Sequence, residues 1–229
     1  MRIAGRNPHA LARGAVALPP HSASNAETIS SRVSPQERFL VSAWLLPTFV
    51  EMTTQRHWFD RKFELGLTAE VAPELVERLR RTPERLTNAV SGLLPEALTR
   101  RSEGKWSIQE NVGHLFDLEA LWDQRLDDYD TGAAELHAAD LENRKTHSAA
   151  HNDRPISDLL VDFTAARRAI MERLERMTPA ELVRTALHPR LRQPMSVVDL
   201  CFFVAEHDDH HLRTMNELRN AFAVGNGPL

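Results

Sequence analysis

The sequence predicts an all-α fold, a four-helix bundle with long connections between its helices. From Met52 onward, apolar residues recur at spacings of three and four almost throughout, as they do along one face of a helix. No stretch alternates between apolar and polar residues as a half-buried strand would. Four of the periodic segments are long, and four long amphipathic helices predict a bundle.

The first predicted helix runs from about Ala69 to Leu93, after a short lead-in from Trp58 to Leu65. Leucine and valine recur along one side of this segment, which predicts the face that packs on the other helices. The Thr82-Pro83 pair predicts a break or kink within it, because proline has no backbone N–H to donate.

The second predicted helix begins at a capping box, in which Ser107 and Glu110 satisfy each other's free backbone N–H groups. The helix continues to Tyr129. Its broad apolar arc consists of Ile108, Val112, Leu115, Leu118, Leu121, Trp122 and Leu126.

The remaining segments complete the bundle. The third helix is predicted from Ile156 to Met177. A short helix follows, because Thr178, Pro179 and Glu181 stand in the order preferred for an N-cap, a first helical proline and an acidic third position. The fourth long helix opens at Ser196 and continues to about Phe222.

Two connections are too long to be tight turns, Thr131 to Pro155 and Thr178 to Met195. At up to about 3.3 Å per residue, the first can cross the length of a bundle with slack. The connection from Thr131 to Pro155 is therefore predicted either to join two parallel helices or to form a lid.

The first 51 residues differ from the rest in composition. They carry five arginines against three glutamates and have a segment rich in proline and serine from Leu18 to Ser34. We predict residues 1–51 to be a disordered or mis-annotated extension, with the biological start at Met52, and residues 52–229 to form the bundle domain. The alternative is an extra helix from Phe39 to Val50 lying on the domain.

Composition excludes several classes of function. A net charge of -4 and a pI near 6.3 give no electrostatic basis for nucleic-acid binding. No run approaches the roughly 18 apolar residues of a membrane span. The single cysteine, Cys201, excludes an internal disulfide and a thiolate-rich zinc site, and it fits a reducing cytoplasm.

Arginine dominates the basic residues, since only three of the 28 are lysine. We interpret this bias as the mark of a GC-rich bacterial genome. The functional alternative is a set of arginine clamps for carboxylates or phosphates, and the scatter of the arginines along the chain speaks against it.

The last helix carries the strongest chemical signal. His207 and His211 are four residues apart, about 6 Å along the axis and about 40° around it, so one metal ion can reach both. They share an apolar stripe with Val204 and Met215, which places two imidazoles in the core. Burying two unpaired rings would cost a few kcal/mol, and a metal ion would satisfy both.

A third ligand is expected on the second helix. His114 lies at the edge of the apolar arc there, about two turns from the cap. Three neutral histidines would leave coordination positions open, as in catalytic metal sites. The alternative for His114 is a structural histidine bonded to a carbonyl group.

Other polar residues are weaker candidates. Asp208 is interpreted as an exposed carboxylate or as a partner of a ligating histidine, and His210 as facing a neighbouring helix or solvent. Cys201 is predicted to be a core residue. A polar cluster in the long connection could close over a site; it consists of Asn143, Lys145, His147, His151 and Asn152.

Two motifs together resemble the DinB/YfiT-like superfamily of small bacterial metalloproteins. The first is Gly-Lys-Trp-Ser-Ile-Gln-Glu-Asn-Val-Gly-His-Leu, from Gly104 to Leu115, and the second is Glu-His-Asp-Asp-His-His-Leu, from Glu206 to Leu212. The resemblance covers about Phe59 to Phe222. It implies a bundle of up-down-down-up order, with the Thr131 to Pro155 connection crossing between parallel helices.

The resemblance also implies a site and a range of functions. Its metal ligands correspond to His114, His207 and His211, and the ion is zinc or nickel. Members often form homodimers. They include transferases that use bacillithiol or mycothiol, a maleylpyruvate isomerase and many proteins with no assigned reaction.

Three functions follow as hypotheses. The first is a metal-dependent S-transferase that uses a low-molecular-weight thiol and a small electrophilic substrate. The second is a metal-dependent hydrolase on the same site, with Asp208 or a loop histidine moving protons. The third is a non-catalytic dimeric bundle that binds a small ligand.

Overall fold

Helices dominate the computed structural model, which describes residues 58–102 and 104–224. The α-helices are α1 (Ala72–Arg80), α2 (Thr82–Val90), α3 (Pro95–Thr99), α4 (Ile108–Thr131), α5 (Arg144–Ser148), α6 (Ile156–Leu174), α7 (Pro179–Leu182) and α8 (Val197–Val224). Short 3-10 turns occur at Trp58–Asp60, Ala69–Val71 and His151–Asp153. The predicted extension 1–51 and its alternative helix lie outside the described residues.

The four-helix prediction is confirmed, with α1 and α2 together forming the first bundle helix. They are separated at Arg81, directly before the Thr82-Pro83 pair, as the proline predicts. The helices α4, α6 and α8 supply the other three, and α4 packs on both α6 and α8.

Cross-helix contacts fix the directions of the helices. Helices α4 and α6 are parallel, because Arg167 bonds Glu119 and, further along both helices, Arg173 pairs with Asp123. Helices α4 and α8 are antiparallel, since Asn111 near the start of α4 bonds His211 in the middle of α8, and Tyr129 near the end of α4 bonds Ser196, directly before α8. The first helix runs parallel to α8, because Arg78 pairs with Glu206 and, further along both helices, Arg85 pairs with Asp209. The order is therefore up-down-down-up, as the resemblance implies. The connection from Thr131 to Pro155 therefore crosses between parallel helices.

Local signals in the sequence define the start of two helices. The Ser107 side chain accepts a hydrogen bond from the Glu110 N–H, and Glu110 accepts one from the Ser107 N–H, which confirms the predicted capping box of α4. The same arrangement of Thr178 and Glu181 opens α7. Helix α4 ends at Thr131, and the next residue, Gly132, has a φ of 71°, the left-handed conformation that favours glycine.

The apolar faces of the helices form two buried clusters. One lies toward the N-terminal half of α8 and includes Trp122, Leu126, Phe203 and Cys201. The other includes Ile108, Leu159, Phe163, Met215 and Leu218. Cys201 is thus a core residue, as predicted. Within the described residues, no helix is both long enough and apolar enough to cross a membrane.

Several local predictions were wrong. The Thr178 to Met195 connection contains a small antiparallel hairpin of β1 (Thr185–Leu187) and β2 (Pro194–Ser196). Strands of three residues are too short to show alternation in the sequence. Helix α6 ends at Leu174 rather than Met177, and the short helices α3 and α5 were not predicted.

Candidate metal centre

Three histidines from two helices meet inside the bundle. His114 comes from α4, and His207 and His211 come from α8. One ring nitrogen of each lies within 4.8 Å of the corresponding nitrogens of the other two. All three side chains are buried. The structure thus brings together the three residues that the sequence singles out, and we call them the triad.

Helix geometry explains how the triad forms. One turn of α8 places His207 and His211 on the same side, with their ring centroids 4.6 Å apart. Because α4 and α8 are antiparallel, the second turn of α4 lies beside the middle of α8. The His114 ring is therefore 5.4 Å from His207 and 4.8 Å from His211.

The ring of His211 is oriented by an amide. Its Nδ1 lies 2.7 Å from Oδ1 of Asn111, a buried residue one turn before His114 on α4. Because a carbonyl oxygen can only accept, Nδ1 carries the proton and donates it. This leaves Nε2 of His211 with a free lone pair, which is the form that binds a metal ion.

The ring of His114 is oriented by a chain of hydrogen bonds. Its Nδ1 lies 3.1 Å from Oγ1 of Thr146, and that hydroxyl donates to Oδ2 of Asp117 at 2.8 Å. The Thr146 oxygen therefore accepts from Nδ1 of His114, which leaves Nε2 as the free nitrogen. His151 lies on the far side and contacts the same Asp117 oxygen at 2.9 Å.

The ring of His207 is oriented by no hydrogen bond from the described residues. Its Nδ1 is buried and has no hydrogen-bond partner among the described residues. A buried nitrogen without a partner costs free energy, on the order of 1–3 kcal/mol. Coordination to an ion by the His207 ring would offset part of the cost of burying it.

Burial keeps the triad uncharged. It lowers the pKa of His114 to about 4, and it lowers the pKa of His207 and of His211 well below 6.5, with further lowering from the neighbouring histidines. All three rings are therefore neutral near pH 7 and offer nitrogen lone pairs. Three neutral imidazoles are a donor set that suits zinc, nickel and other divalent transition metals.

The triad opens onto a cavity of about 780 Å³. Aromatic side chains form much of the cavity wall beside the triad: Trp58, Phe59, Trp106, Trp122, Phe203, His188 and His210. The Trp106 ring packs against His114 with centroids 4.6 Å apart. A small organic molecule can thus lie beside the triad in a largely apolar space.

Asp208 corrects the interpretation based on its position next to His207. It is neither exposed nor a partner of a triad histidine, because its side chain is completely buried on the other side of α8. There it accepts hydrogen bonds from Arg167 at 2.6 Å and from Thr82 at 2.8 Å. His210 lies at the cavity wall, with its ring 5.2 Å from that of His211.

The polar cluster of the long connection packs beside the triad, although its members do so in different ways. Asn143 lines the cavity, and the His147 ring lies 5.6 Å from Trp106. His151 is buried beneath His114, and Lys145 reaches the carboxylate of Asp117. Asn152 pairs with Ser107 at the start of α4. The segment thus packs against the start of α4 and also borders the cavity.

Sequence reasoning missed the residues that orient the rings. Asn111 and Asp117 lie three residues before and after His114, so both share its side of the helix. Polar residues at that spacing within an apolar arc are a usable signal. Thr146 gives no such signal, because its contact with His114 spans 32 positions in the sequence.

Comparisons with known proteins agree on the fold. The sequence model of the DinB superfamily matches residues 78–215. The structure is similar to YfiT from Bacillus subtilis, described as a probable metal-dependent hydrolase with an unusual four-helix bundle topology. The TM-score is 0.64 at 18% identity, over 71% of this chain and 94% of YfiT.

A second similar structure is a mycothiol-dependent maleylpyruvate isomerase. The TM-score is 0.53 at 10% identity, over 66% of this chain, which spans 63% of the isomerase. No curated protein sequence matches this chain significantly. At these identities the two structures establish the fold alone, whereas the family match covers more than half of the chain. The chain belongs to the DinB superfamily.

Proposed function

We propose that the protein is a metal-dependent enzyme acting on a small molecule, with its ion held by His114, His207 and His211. The observation that carries this proposal is the convergence of three buried, neutral imidazoles at the wall of a cavity. An ion bound there would supply Lewis-acid chemistry that deprotonates a thiol or a water near neutral pH. Zinc and nickel both suit the donor set.

The protein's own residues hold the site in shape. Asn111 and Thr146 orient two of the rings through hydrogen bonds. Trp106 covers the His114 ring, and Trp58 packs edge-on against His207 at 4.9 Å. Both indoles also belong to the cavity wall, so a substrate entering the cavity would contact them beside the triad.

Among the reactions open to such a site, we place thiol S-transfer first. The carboxylates close to the triad in sequence are already engaged. Asp117 is bonded by Thr146 and His151, and Asp208 by Arg167. Arg78 pairs with both Glu206 and Asp209. A hydrolase would also need a nearby group that passes a proton to the leaving group. A thiol has an ordinary pKa near 8.5, so the ion alone suffices to generate the thiolate near neutral pH. Mycothiol or bacillithiol is the expected thiol, and the description of the similar isomerase supports a thiol of this kind.

Hydrolysis is the second candidate. His210 lies at the cavity wall beside His211, where an imidazole could move protons. The description of YfiT as a probable metal-dependent hydrolase also supports it. Asp208 is no longer a candidate for this role, because its carboxylate faces away from the triad.

Metal content tests the site itself. Elemental analysis should give close to one ion per chain for the wild type and far less for His211→Ala. His210→Ala is the matched control, because His210 is the next residue on α8 but lies outside the triad, and it should keep its ion. Equal, negligible metal in all three proteins would favour the non-catalytic ligand-binding bundle.

A conjugation assay separates the two reactions. Mycothiol or bacillithiol is offered with 1-chloro-2,4-dinitrobenzene, so that a sulfur–carbon bond forms while chloride leaves and the thiol proton passes to solvent. The wild type should accelerate conjugation, and His211→Ala should not. Cleavage of 4-nitrophenyl acetate by the wild type without any thiol, and no conjugation, would instead favour the hydrolase.

We further propose that the protein works as a homodimer in the reducing cytoplasm. The resemblance to the superfamily supports the dimer, and the free, buried Cys201 suits a reducing compartment. Light scattering of the purified chain should give twice the mass of 25.9 kDa. A monomeric mass at micromolar concentration would contradict the dimer.

A further inference from the structure

The cavity has a second polar region, away from the triad. Arg125 lies 11 residues after His114 on the same side of α4, which is about 16 Å along the helix axis. His188 and Arg190, from the loop between β1 and β2, line the cavity there as well. We call these three residues the donor end. The rings of Trp122 and Phe203 lie between it and His207.

Arg125 is a buried cation with no counter-ion among the described residues. Its side chain is 1% exposed, and its Nε donates to the backbone oxygen of His137 at 3.0 Å. Among the residues that the structure describes, no carboxylate lies within ion-pair distance of its guanidinium group. Asp128, one turn further along α4, is bonded to the ring and backbone of His137. Burial lowers the pKa of Arg125 to about 10, so the group remains charged at pH 7.

His188 presents a second donor beside Arg125. The backbone N–H of Leu191 donates to Nδ1 of His188 at 3.1 Å, so the proton of the neutral ring is on Nε2. Burial, together with the neighbouring arginines, lowers the pKa of His188 to about 3, so the ring is neutral at pH 7. Nε2 lies 3.2 Å from Nη1 of Arg125, which can only donate. Two N–H groups thus face each other with no acceptor between them.

Arg190 adds a third donor without an acceptor. Its Nη2 is buried and has no hydrogen-bond partner among the described residues. The guanidinium carbon lies 5.3 Å from the ring centre of Phe59 and 6.0 Å from that of Phe203. These apolar neighbours desolvate the guanidinium without neutralising it. Three donor groups at one end of the cavity therefore lack an acceptor, and an anionic ligand would supply one.

We propose that the donor end binds the carboxylate of an organic acid, whose apolar body lies along Trp122 and Phe203. A carboxylate has two acceptor oxygens, which matches the fork of an arginine and a neighbouring N–H. The substrate class of the site is then an elongated acid with its reacting group at the far end from the carboxylate. That orientation rests on the proposed function of the triad, whereas binding of the carboxylate does not.

Calorimetric binding of 4-phenylbutanoate and of its neutral amide tests the proposal. The wild type should bind the acid about tenfold more tightly than the amide, because only the acid makes charge-assisted hydrogen bonds. The preference should disappear in Arg125→Met and in Arg190→Met. Arg192→Met is the matched control, because Arg192 lies in the same loop, is exposed and pairs with Glu135, and it should keep the preference.

Repeating the titrations after chelation separates this proposal from the metal site. The preference for the acid should survive removal of the ion and should also survive in His211→Ala. A preference lost with the ion would mean that the carboxylate binds at the triad, and it would overturn the proposal. Equal binding of acid and amide, or no binding of either at millimolar concentration, would overturn it too. If Arg125→Met does not fold, Arg190→Met decides.

Discussion

Two arginines are equally buried in this protein and have opposite surroundings. Arg167 on α6 and Arg125 on α4 are each 1% exposed. Arg167 donates to the carboxylates of Glu119 and Asp208, whereas Arg125 meets a carbonyl oxygen and the ring of His188. Burial tends to lower the pKa of both. In Arg167 the two carboxylates raise it above its ordinary value instead.

The difference separates polar groups that satisfy one another in the core from polar groups that line the cavity. We call Arg167, Glu119, Asp208 and Thr82 the closed cluster, because their charges and hydrogen bonds are satisfied by one another. The triad and the donor end instead line the cavity and keep unused lone pairs or N–H groups. Helix α8 separates the two regions, since consecutive residues differ by about 100° around a helix. His207 therefore faces the cavity while Asp208 faces the closed cluster.

The largest predicted effect on stability follows from removal of Arg167, the cation of the closed cluster. Arg167→Met leaves two buried carboxylates without a partner, which should reduce the free energy of unfolding by about 3–5 kcal/mol. Urea denaturation measures it. Arg168→Met is the control, because Arg168 is the next residue and is exposed, and it should be nearly neutral. Equal stability of the two variants would contradict the structural role of the cluster.

Acid should destabilise the metal-free protein, because buried histidines at the cavity are neutral in the folded state. Burial holds the pKa of His114 at about 4 against 6.5 in the unfolded chain, so only the unfolded chain binds a proton between these values. The contribution of His114 to the free energy of unfolding is therefore fully present above pH 6.5 and falls as pH drops toward 4. His114 should account for up to about 3 kcal/mol. Urea denaturation at stepped pH measures the fall.

A variant at the donor end sharpens that experiment. The pKa of His188 is lowered to about 3, so His188→Gln should make the fall in stability with acid shallower. A free energy of unfolding that stays constant from pH 6.5 to 4.5 would contradict the burial of neutral histidines here.

An added methyl group should disturb the packing behind His114. A Cβ at Gly113 would overlap the buried ring of His151. Alanine usually stabilises a helix interior relative to glycine, but Gly113→Ala should cost about 1–3 kcal/mol because the ring cannot move freely. Thermal melting measures the loss. His151→Ala makes room, so the double variant should lose less than the sum of the single variants. Additive losses would contradict the close contact.

The smallest predicted effect on stability comes from a substitution at the donor end. Arg125→Met should change the free energy of unfolding by no more than about 1 kcal/mol, because loss of one hydrogen bond is offset by removal of an unpaired buried charge. Urea denaturation alongside Arg167→Met makes the comparison direct. A loss as large as that of Arg167→Met would mean that Arg125 has a structural partner.

Local features of the fold were predictable from the sequence. The Ser107 and Glu110 capping box and the break before Pro83 depend on residues within one turn of each other. The spacing of His207 and His211 likewise fixes their common side on one helix. His114 required a further step, because only its place in the apolar arc and the resemblance to the superfamily indicated that it joins the other two.

Contacts between residues that are far apart in the sequence could not be predicted from it. Asp208 adjoins a triad histidine in the sequence, yet its partner is Arg167, 41 positions away. Composition likewise gave no indication that Arg167 pairs with two carboxylates in the core. The hairpin of β1 and β2 was missed because its pairing, not its periodicity, defines it.

The sequence by itself determined four amphipathic helices, the caps of α4 and α7 and the common side of His207 and His211 on α8, because these depend on helical periodicity and on residues within a turn. Only the tertiary structure decided which buried charges are paired. The guanidinium groups of Arg125 and Arg167 are chemically identical, and both lie on helices within the bundle. Their roles differ because Arg167 meets two carboxylates across the core, whereas Arg125 lies at a cavity wall and meets one carbonyl oxygen and the ring of His188.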